Sequence, residues 1–367
     1  MKGFQEIAAA VEALSEPSAL ATLVRVKGSS YRQPGARMLF GTQGSTGVIS
    51  AGCLETDILA RVQAVLASQA PQLAVYDLGS DLDLIWGTGM GCQGKADVLL
   101  ERVAPGRLPS WMRLCREMLD QRRLGALATV YATRGAAGPV AGEHFLYDEA
   151  GGGVPPGPGP FQQAIADALR QALAAGAVTC PTLRAGEAEL DLLVEPILPP
   201  FALWIFGAGE HSRPLARLAS QLGWFVGIID HRPALATPER FPEADRIVLG
   251  HPPGSLQNLP LDRRSAALVV SHIYEKDLQA LSTLLDTPIG YLGLQGNRAR
   301  SRKLLKDLLE AGALSERQAR IVHFPAGLDI GAETPEAIAV SMIAEVQAAL
   351  TGHPGGSLRD RGGAIHA

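Results

Sequence analysis

The hydrophobic pattern changes period several times in the first hundred residues. Residues 5–15 repeat at helical spacing, and LATLVRVK (20–27) is an alternating run rich in branched residues, which predicts a strand. GSSYRQPG (28–35) carries every signal of a loop, and ARMLF resumes as a second strand. GTQGSTG reads as a turn and VIS (48–50) as a third short strand. From AGCLETDILARVQAVLAS onward, Ile58, Val62 and Val65 recur three or four apart, the spacing of one helix face. LAVYDL (73–78) and ADVLLERV (96–103) then read as strands on either side of a second glycine loop, IWGTGMGCQG (85–94).

After an expected helix over 109–122, the pattern repeats itself. LATVYATRGAAGPVAGEHFLY (127–147) aligns without gaps to LATLVRVKGSSYRQPGARMLF (20–40), at a constant offset of 107 residues. Leu127, Ala128 and Thr129 match Leu20, Ala21 and Thr22, while Gly135 and Gly142 match Gly28 and Gly35. The first half is therefore read as two related strand–loop–strand units, the second starting near 125. That second unit runs into the Gly/Pro linker GGGVPPGPGP (151–160) where the first runs into a cysteine. A helix over 161–175 and a strand over 190–195 lead to PILPP, whose prolines remove backbone donors and stop the strand. The expected boundary lies there, dividing 1–197 from 198–350, with 351–367 as a flexible tail.

The second half opens with a continuous apolar strand (202–206), a glycine turn, a helix (212–222) and a second apolar strand (225–229) ending at Asp230. Continuous apolar strands alternating with helices mark a parallel sheet covered on both faces. Further strands are expected at 246–249, 266–270, 289–292 and 320–323, with helices at 275–285, 297–311 and 334–349. The fold class is α/β: a mixed α/β domain with an internal repeat, then a Rossmann-like, doubly wound parallel-sheet domain.

Composition narrows the function. The 367 residues carry a net charge of −4, so a general nucleic-acid-binding surface is not implied. The amino terminus reads as a short amphipathic helix rather than a signal peptide, and no apolar run is long enough to span a membrane. Four widely spaced cysteines form neither a CxxC site nor a disulfide scaffold, so a reducing cytoplasm is expected. The 41 glycines and 25 prolines exceed ordinary usage, and outside the linker and tail they concentrate in turns placed to face a ligand.

Two groups of residues carry candidate chemistry. In the first half, Arg25, Lys27, Ser29, Ser30, Arg32 and Arg37 surround one tight loop, where cations and Gly/Ser amides make an anion site. Gly52, Cys53 and Glu55 stand at a strand-to-helix junction, where a cysteine gains thiolate character. Gly89, Gly91 and Cys92 supply a second cradle, and two such thiols suit a soft metal or a sulfur-bearing cofactor. Both cysteines equally suit small buried fillers, and Cys115 and Cys180 are read as structural. In the second half, GAGEHS places Gly207, Gly209 and His211 in a dinucleotide-type turn, with Ser212 where a third glycine belongs. Asp230 stands where a ribose-binding acid belongs. His272 and Arg298 follow later strands and would face the same crevice, and Asp329 and Glu333 would position a ligand or pin their loop. Thr334 and Pro335 read as the N-cap and first residue of a helix whose Glu336 and Glu345 face solvent.

In family order, VRVKGSSYRQPGARML, GCLE, WGTGMGCQG, WIFGAGEHSRPLARLASQLGWFV with IIDHRP, YLGLQGNRARSRKLL and PAGLDIGAETPEAIAVSMIAEV resemble the XdhC/CoxI family of xanthine dehydrogenase accessory proteins. The resemblance runs from about residue 20 to 347. It implies a protein that binds molybdenum cofactor, a pterin with a dithiolene and a phosphate that is sometimes nucleotide-extended. Such a protein holds the cofactor while a cysteine desulfurase supplies its sulfido ligand, then supports insertion into an apo-molybdoenzyme of xanthine dehydrogenase type. On this implication the loop from Lys27 to Arg32 takes the phosphate, Cys53 and Cys92 protect or ligate the metal, and the Rossmann-like crevice holds the nucleotide extension or a separate nucleotide. The sequence departs from the family at Tyr31, at Ser271–His272–Ile273–Tyr274 and at Gly296–Asn297–Arg298, which bears most on the 271–277 loop. Two other functions fit the residues: an NAD(P)-dependent oxidoreductase, for which no placed Tyr–Lys pair is found, and a sulfur carrier acting through Cys53. A homo-oligomer, most simply a homodimer, is expected.

Overall fold

The computed structural model describes every residue except 1, 29–31, 42–43, 51, 53, 78–93, 136–137, 152, 257–258, 311, 313, 315–317, 319–320 and 363–367. The chain divides into two compact units, Met1–Pro199 and Pro200–Ala367.

Unit 1 holds two antiparallel sheets. Helix α1 (Lys2–Glu12) precedes β1 (Ser18–Gly28), β2 (Arg37–Gly41) and β3 (Gly44–Gly47). Helix α2 (Glu55–Ser68) leads to β4 (Gln72–Asp77) and β5 (Gly94–Val103), giving a sheet in the order β3-β2-β1-β5-β4. Helix α3 (Ser110–Asp120), β6 (Gly125–Arg134), β7 (His144–Asp148), α4 (Gln162–Ala175), β8 (Thr182–Ala185) and β9 (Ala188–Ile197) build the second sheet, β7-β6-β9-β8. Two local expectations differ. The third strand occupies Gly44–Gly47, inside the stretch read as a turn, and 48–50 lies outside it; strand β8 had no apolar run to announce it.

The register makes the duplication physical. Leu20 pairs with Leu39, Ala21 with Met38 and Thr22 with Arg37. At the same offset of 107, Leu127 pairs with Leu146, Ala128 with Phe145 and Thr129 with His144. Each long strand carries one register shift, between Leu23 and Arg25 in β1 and between Val130 and Ala132 in β6, again at equivalent positions. A bulge adds an unpaired residue and bends the strand, so the two sheets bend at the same place. Alternation assigns the faces: Ala19, Ala21 and Leu23 pack on α2, and Ala126, Ala128 and Val130 pack on α4. Leu20, Leu39, Leu127 and Leu146 share a third core with α1 and α3.

An ion pair and a histidine–carboxylate contact cross between the repeats. Arg37 of the first grips Glu195 of the second with both terminal nitrogens, one contact measuring 2.9 Å. His144 of the second, the counterpart of Arg37, meets Glu101 of the first at 2.8 Å through Nε2. Glu101 lies opposite Leu20 and Glu195 opposite Leu127, so the acids are counterparts too. Trp111 of α3 lies between the two bases, its ring 4.5 Å from the His144 ring and 5.4 Å from the Arg37 guanidinium.

Unit 2 is a parallel sheet in the order β12-β11-β10-β13-β14-β15. Its strands are β10 (Ala202–Phe206), β11 (Phe225–Asp230), β12 (Arg246–Leu249), β13 (Ser265–Val269), β14 (Tyr291–Leu294) and β15 (Val322–His323). Helices α5 (Ser212–Gln221) and α8 (Pro335–Thr351) cover one face, and α6 (Tyr274–Leu285) and α7 (Arg298–Glu310) the other. Chain order reverses between β10 and β13, the switch point at which a crevice opens over the carboxyl ends. Helix α8 starts as its sequence predicts, with Thr334 Oγ accepting from the Ala337 amide at 3.2 Å and Pro335 at the first position. Among the described residues no helix is long and apolar enough to cross a membrane.

The Arg37 side chain is only 8% exposed. Glu195→Ala would leave its charge buried and unpaired, which should cost about 3–5 kcal/mol. Denaturant unfolding of the full chain measures this, and a loss below about 1 kcal/mol, the range of exposed pairs, would show that the pair does not hold the repeats together.

Candidate functional site

In unit 1 the residues around Cys53 are tied down by a local acid. Ser50 Oγ donates to Glu55 Oε2, while the Ser50 and Leu54 amides donate to the same carboxylate at 3.2 and 3.1 Å. Ser50 Oγ also accepts from the Gly52 amide at 3.1 Å. Glu55 therefore folds back over the start of α2 and ties Ser50 and Leu54 to one carboxylate. Gly52 holds φ at +106°, a conformation that favours glycine. Cys53, Cys92, Gly89, Gly91, Ser29 and Ser30 lie outside the described residues.

The cations named from the sequence separate into two kinds. Lys27 and Arg32 are exposed at the two ends of the 28–35 loop, and no carboxylate pairs with either among the described residues. Arg25 is bound to Asp97 at 2.6 Å, and Arg37 is withdrawn into its pair with Glu195. Two cations thus remain for an anion, and two build the scaffold. Cys115 is buried and its thiol is pushed up to about 12 by desolvation; Cys180 is pushed up to about 11 by the same cause. Neither is a ready nucleophile.

In unit 2 the glycine turn follows β10. Gly207 holds φ at +122°, and a Cβ there would stand 2.8 Å from Ser271 Cα. The glycine lets this turn touch the end of β13. Ser212, in the third-glycine position, is fully buried and its hydroxyl donates to the Gly207 carbonyl. Gly209 has open space above it, and His211 carries a buried Nδ1 with no partner among the described residues.

Asp230 ends β11 at the expected place, but both its oxygens are occupied. Oδ2 accepts from the Ala208 amide at 2.6 Å and from Arg232 Nη2 at 2.7 Å. Oδ1 accepts from the Arg232 amide and Nε, and His231 Nδ1 lies 3.1 Å away. Burial alone would raise its pKa; the Arg232 guanidinium and the Ala208 and Arg232 amides outweigh that and hold it at about 2. A carboxylate so saturated clamps the glycine turn and has no lone pair left for a ribose diol.

Five of the eight histidines lie at or just after the carboxyl ends of parallel strands: His211, His231, His251, His272 and His323. His231 stacks on His251 at 4.7 Å, and His211 meets His272 edge-on at 6.1 Å. His272 adopts φ +62°, uncommon for a residue with a side chain. The turn is held by Ser271, whose hydroxyl donates to Asp277 and accepts from the Ile273 amide. Desolvation, opposed by Asp277 and helped by Arg300 and His211, lowers the His272 pKa. Asp277 is fully buried and bound to Arg300 at 2.5 Å, so Arg300 is a strut, whereas Arg298 is exposed. Asp329 and Glu333 are exposed in the loop before α8. Glu345, expected to face solvent, is instead 18% exposed and bonded to Tyr291, Gly327 and His323. Helical periodicity does not distinguish a solvent face from one whose acid has partners under an edge strand.

The crevice at the switch point, lined by Gly207, Asp230, His231, Ser271, Lys276 and Asp277, measures only about 20 Å³. A wider hollow of about 700 Å³ lies at the opposite, amino ends of β13–β15, away from the histidines. Near Arg32 and Arg37 of unit 1 there is a pocket of about 320 Å³. Among the described residues no group of three or more His, Cys, Asp or Glu side chains is arranged to hold a metal.

Residues 203–346 match the family described as the XdhC Rossmann domain, and residues 12–77 match the XdhC and CoxI family. A Bacillus subtilis (strain 168) protein named as a probable xanthine dehydrogenase subunit is 31% identical over 332 residues, which is 90% of this chain and 92% of that protein. The uncharacterized protein YqeB of Escherichia coli (strain K12) is 34% identical over 154 residues, 42% of this chain and 28% of its own. A solved structure described as a xanthine dehydrogenase from Bacillus halodurans matches with a TM-score of 0.75 at 27% identity, covering 99% of this chain and 98% of that one.

Two outcomes follow from the geometry of unit 2. Gly207→Ala forces a side chain against Ser271 at an unfavourable φ and should destabilise the unit by about 1–3 kcal/mol, read by denaturant unfolding. Asp230 has its pKa depressed from 3.8 to about 2, so its contribution is complete above 3.8 and is lost as pH falls through 2. Wild-type stability should therefore drop more steeply over that window than that of Asp230→Asn; parallel curves would show that the clamp contributes nothing.

Proposed function

The chain belongs to the XdhC and CoxI family, whose proteins are linked to xanthine dehydrogenase-type molybdoenzymes, and on that premise we propose that it is a carrier of molybdenum cofactor. It holds the cofactor while its sulfido ligand is installed by a cysteine desulfurase, and supports insertion into an apo-molybdoenzyme of xanthine dehydrogenase type. It acts in the cytoplasm and as a homodimer.

The observation that carries this reading is the asymmetry of the duplication. Helices α2 and α4 begin at equivalent positions, with Leu54 and Phe161 as their N-caps, 107 residues apart. The residue before the cap is Cys53 in the first copy and Pro160 in the second. The loop between the paired strands is GSSYRQPG in the first copy and GAAGPVAG in the second. One fold occurs twice, and at these two places, the inter-strand loop and the residue before the helix cap, only the first copy carries hydroxyls, a cation and a thiol. The residues suit the cargo: Lys27 and Arg32, without a carboxylate partner among the described residues, are cations for a phosphate, and thiols are the ligands a soft metal site prefers. Cys53 and Cys92 would shield the sulfurated metal, with Ser29, Ser30, Gly52, Glu55, Gly89 and Gly91 framing it. Unit 2 would receive the nucleotide extension, or a separate nucleotide, along the edge that carries Gly207, Gly209, His211, His272 and Arg298. Asp230 enters there as the clamp on the turn, and its saturation counts against an NAD(P)-dependent oxidoreductase.

The test is to purify the chain from cells competent for molybdenum cofactor synthesis and to measure molybdenum and pterin fluorescence. Wild type should carry both, and Cys53→Ala should lose most of the metal. Protein with neither, even after reconstitution, would refute the carrier. A persulfide on Cys53 in the mass spectrum, without bound pterin, would make it a sulfur carrier instead.

A further inference from the structure

Helices α5, α6 and α7 each start just after a parallel strand, and their starts differ in charge. The turn before α5 is closed by Asp230 on the Ala208 amide and by the Ser212 hydroxyl on the Gly207 carbonyl. Helix α6 carries Glu275 and Asp277 in its first turn. Helix α7 has no acid there, and its first six residues hold Arg298, Arg300, Arg302 and Lys303. Arg300 Nη2 is bound to Asp277, and Lys303 Nζ lies 4.9 Å over the Tyr274 ring. Arg298 and Arg302 are exposed and have no carboxylate partner among the described residues. Cations at the positive end of a helix oppose its dipole, an arrangement that an arriving anion relieves.

The turn from β14 into α7 also leaves its donors unused. Asn297 accepts from the Arg300 amide through Oδ1 at 2.9 Å and from the Ser301 amide through its carbonyl at 3.1 Å. The amides of Gly296, Asn297, Arg298 and Ala299 have no partner among the described residues. Three side-chain atoms of the same segment are buried and equally without a partner among the described residues: Gln295 Oε1, Arg300 Nη1 and Ser301 Oγ. Ser301 is fully buried, so water does not satisfy its hydroxyl. A Cβ placed on Gly296 would stand 3.5 Å from Arg300 Nη1 and 3.8 Å from Ser301 Oγ. Both heads are thus aimed at the glycine that opens the turn, and no Cβ separates them from the free amides. A guanidinium nitrogen can only donate, a hydroxyl can donate, and the Gln295 amide can turn to present its own donors. Buried donors without an acceptor are costly, and one anion would satisfy them together.

We propose that this turn and the start of α7 form an oxyanion site for a phosphate group. Its outer oxygens take the amides of Asn297, Arg298 and Ala299 and the exposed Arg298 guanidinium. One oxygen reaches Arg300 Nη1 and Ser301 Oγ past Gly296. A phosphate has enough oxygens to meet the backbone donors and the buried pair at once, which a chloride ion does not. The first glycine turn of such a sheet is the usual phosphate seat, but here Asp230 closes it. The site proposed instead lies two strands along the sheet, after β14. Its geometry stands without the carrier reading; only the source of the phosphate, an ester borne by the cargo rather than the free ion, rests on that reading.

Inorganic phosphate and adenosine monophosphate are the probes, each titrated at constant ionic strength into the isotope-labelled full chain and followed by amide NMR. The signals of Gly296 to Ala299 report this site separately from the loop of unit 1. They should shift saturably with phosphate and stay in place with chloride. Ser301→Ala and Arg298→Gln should each weaken the binding read there about tenfold, the worth of one hydrogen bond to a charged group. Ser301→Ala removes an unpartnered buried hydroxyl, so its unfolding midpoint should be no lower than that of wild type, which separates lost binding from lost fold. No saturable shift at these amides with either probe, or wild-type affinity in both variants, would overturn the proposal. Equal shifts with chloride would mark an adventitious ion only and overturn it as well. Tighter binding of the ester than of inorganic phosphate would assign the site to an organic phosphate, and equal affinity to the phosphate group alone. The carrier reading fails separately, by absence of molybdenum and pterin from the purified chain.

Discussion

Unit 1 depends on two carboxylates that each hold a base from the opposite repeat. Glu195 grips Arg37, Glu101 meets His144, and Trp111 lies between the two bases. A buried charge is tolerable only when paired, so each repeat supplies what the other cannot bury alone. The crossing holds β2, which carries Arg37, and so one end of the loop that runs from Lys27 to Arg32. Arg37 is therefore better understood as the anchor of that loop than as one of its ligands.

Acids have the same use in unit 2. Asp230 clamps the glycine turn through the Ala208 amide, Asp277 ties the 271–274 turn to α7 through Arg300, and Glu345 fixes β15 and the loop after it. Each sits where the sheet delivers its carboxyl ends. Rigid loops there need their backbone donors satisfied from within, and a carboxylate with several lone pairs does this in one residue. The consequence for function is subtractive: Arg25, Arg37, Arg232 and Arg300 are occupied by acids, while Lys27, Arg32 and Arg298 stay exposed.

The architecture was readable because it rests on local patterns. Continuous apolar runs marked the parallel strands, Thr334 and Pro335 marked the start of α8, and the 107-residue offset marked the duplication before any register was known. Strand Gly44–Gly47 escaped because glycine, serine and threonine carry no apolar alternation, and its pairing with β2 comes from the neighbour. Glu345 escaped because its partners lie 18, 22 and 54 residues away in the chain.

Element order, the repeat and the residue types gathered in each glycine loop all follow from composition and spacing along the chain. Tertiary structure alone decided which charges are free. Pairing partners such as Arg37 and Glu195, 158 residues apart, are set by how sheets pack, and no periodicity encodes that distance. The same holds for His323: its sequence neighbours say nothing of a carboxylate, and only the docking of α8 against β14 and β15 brings Glu345 to its Nδ1.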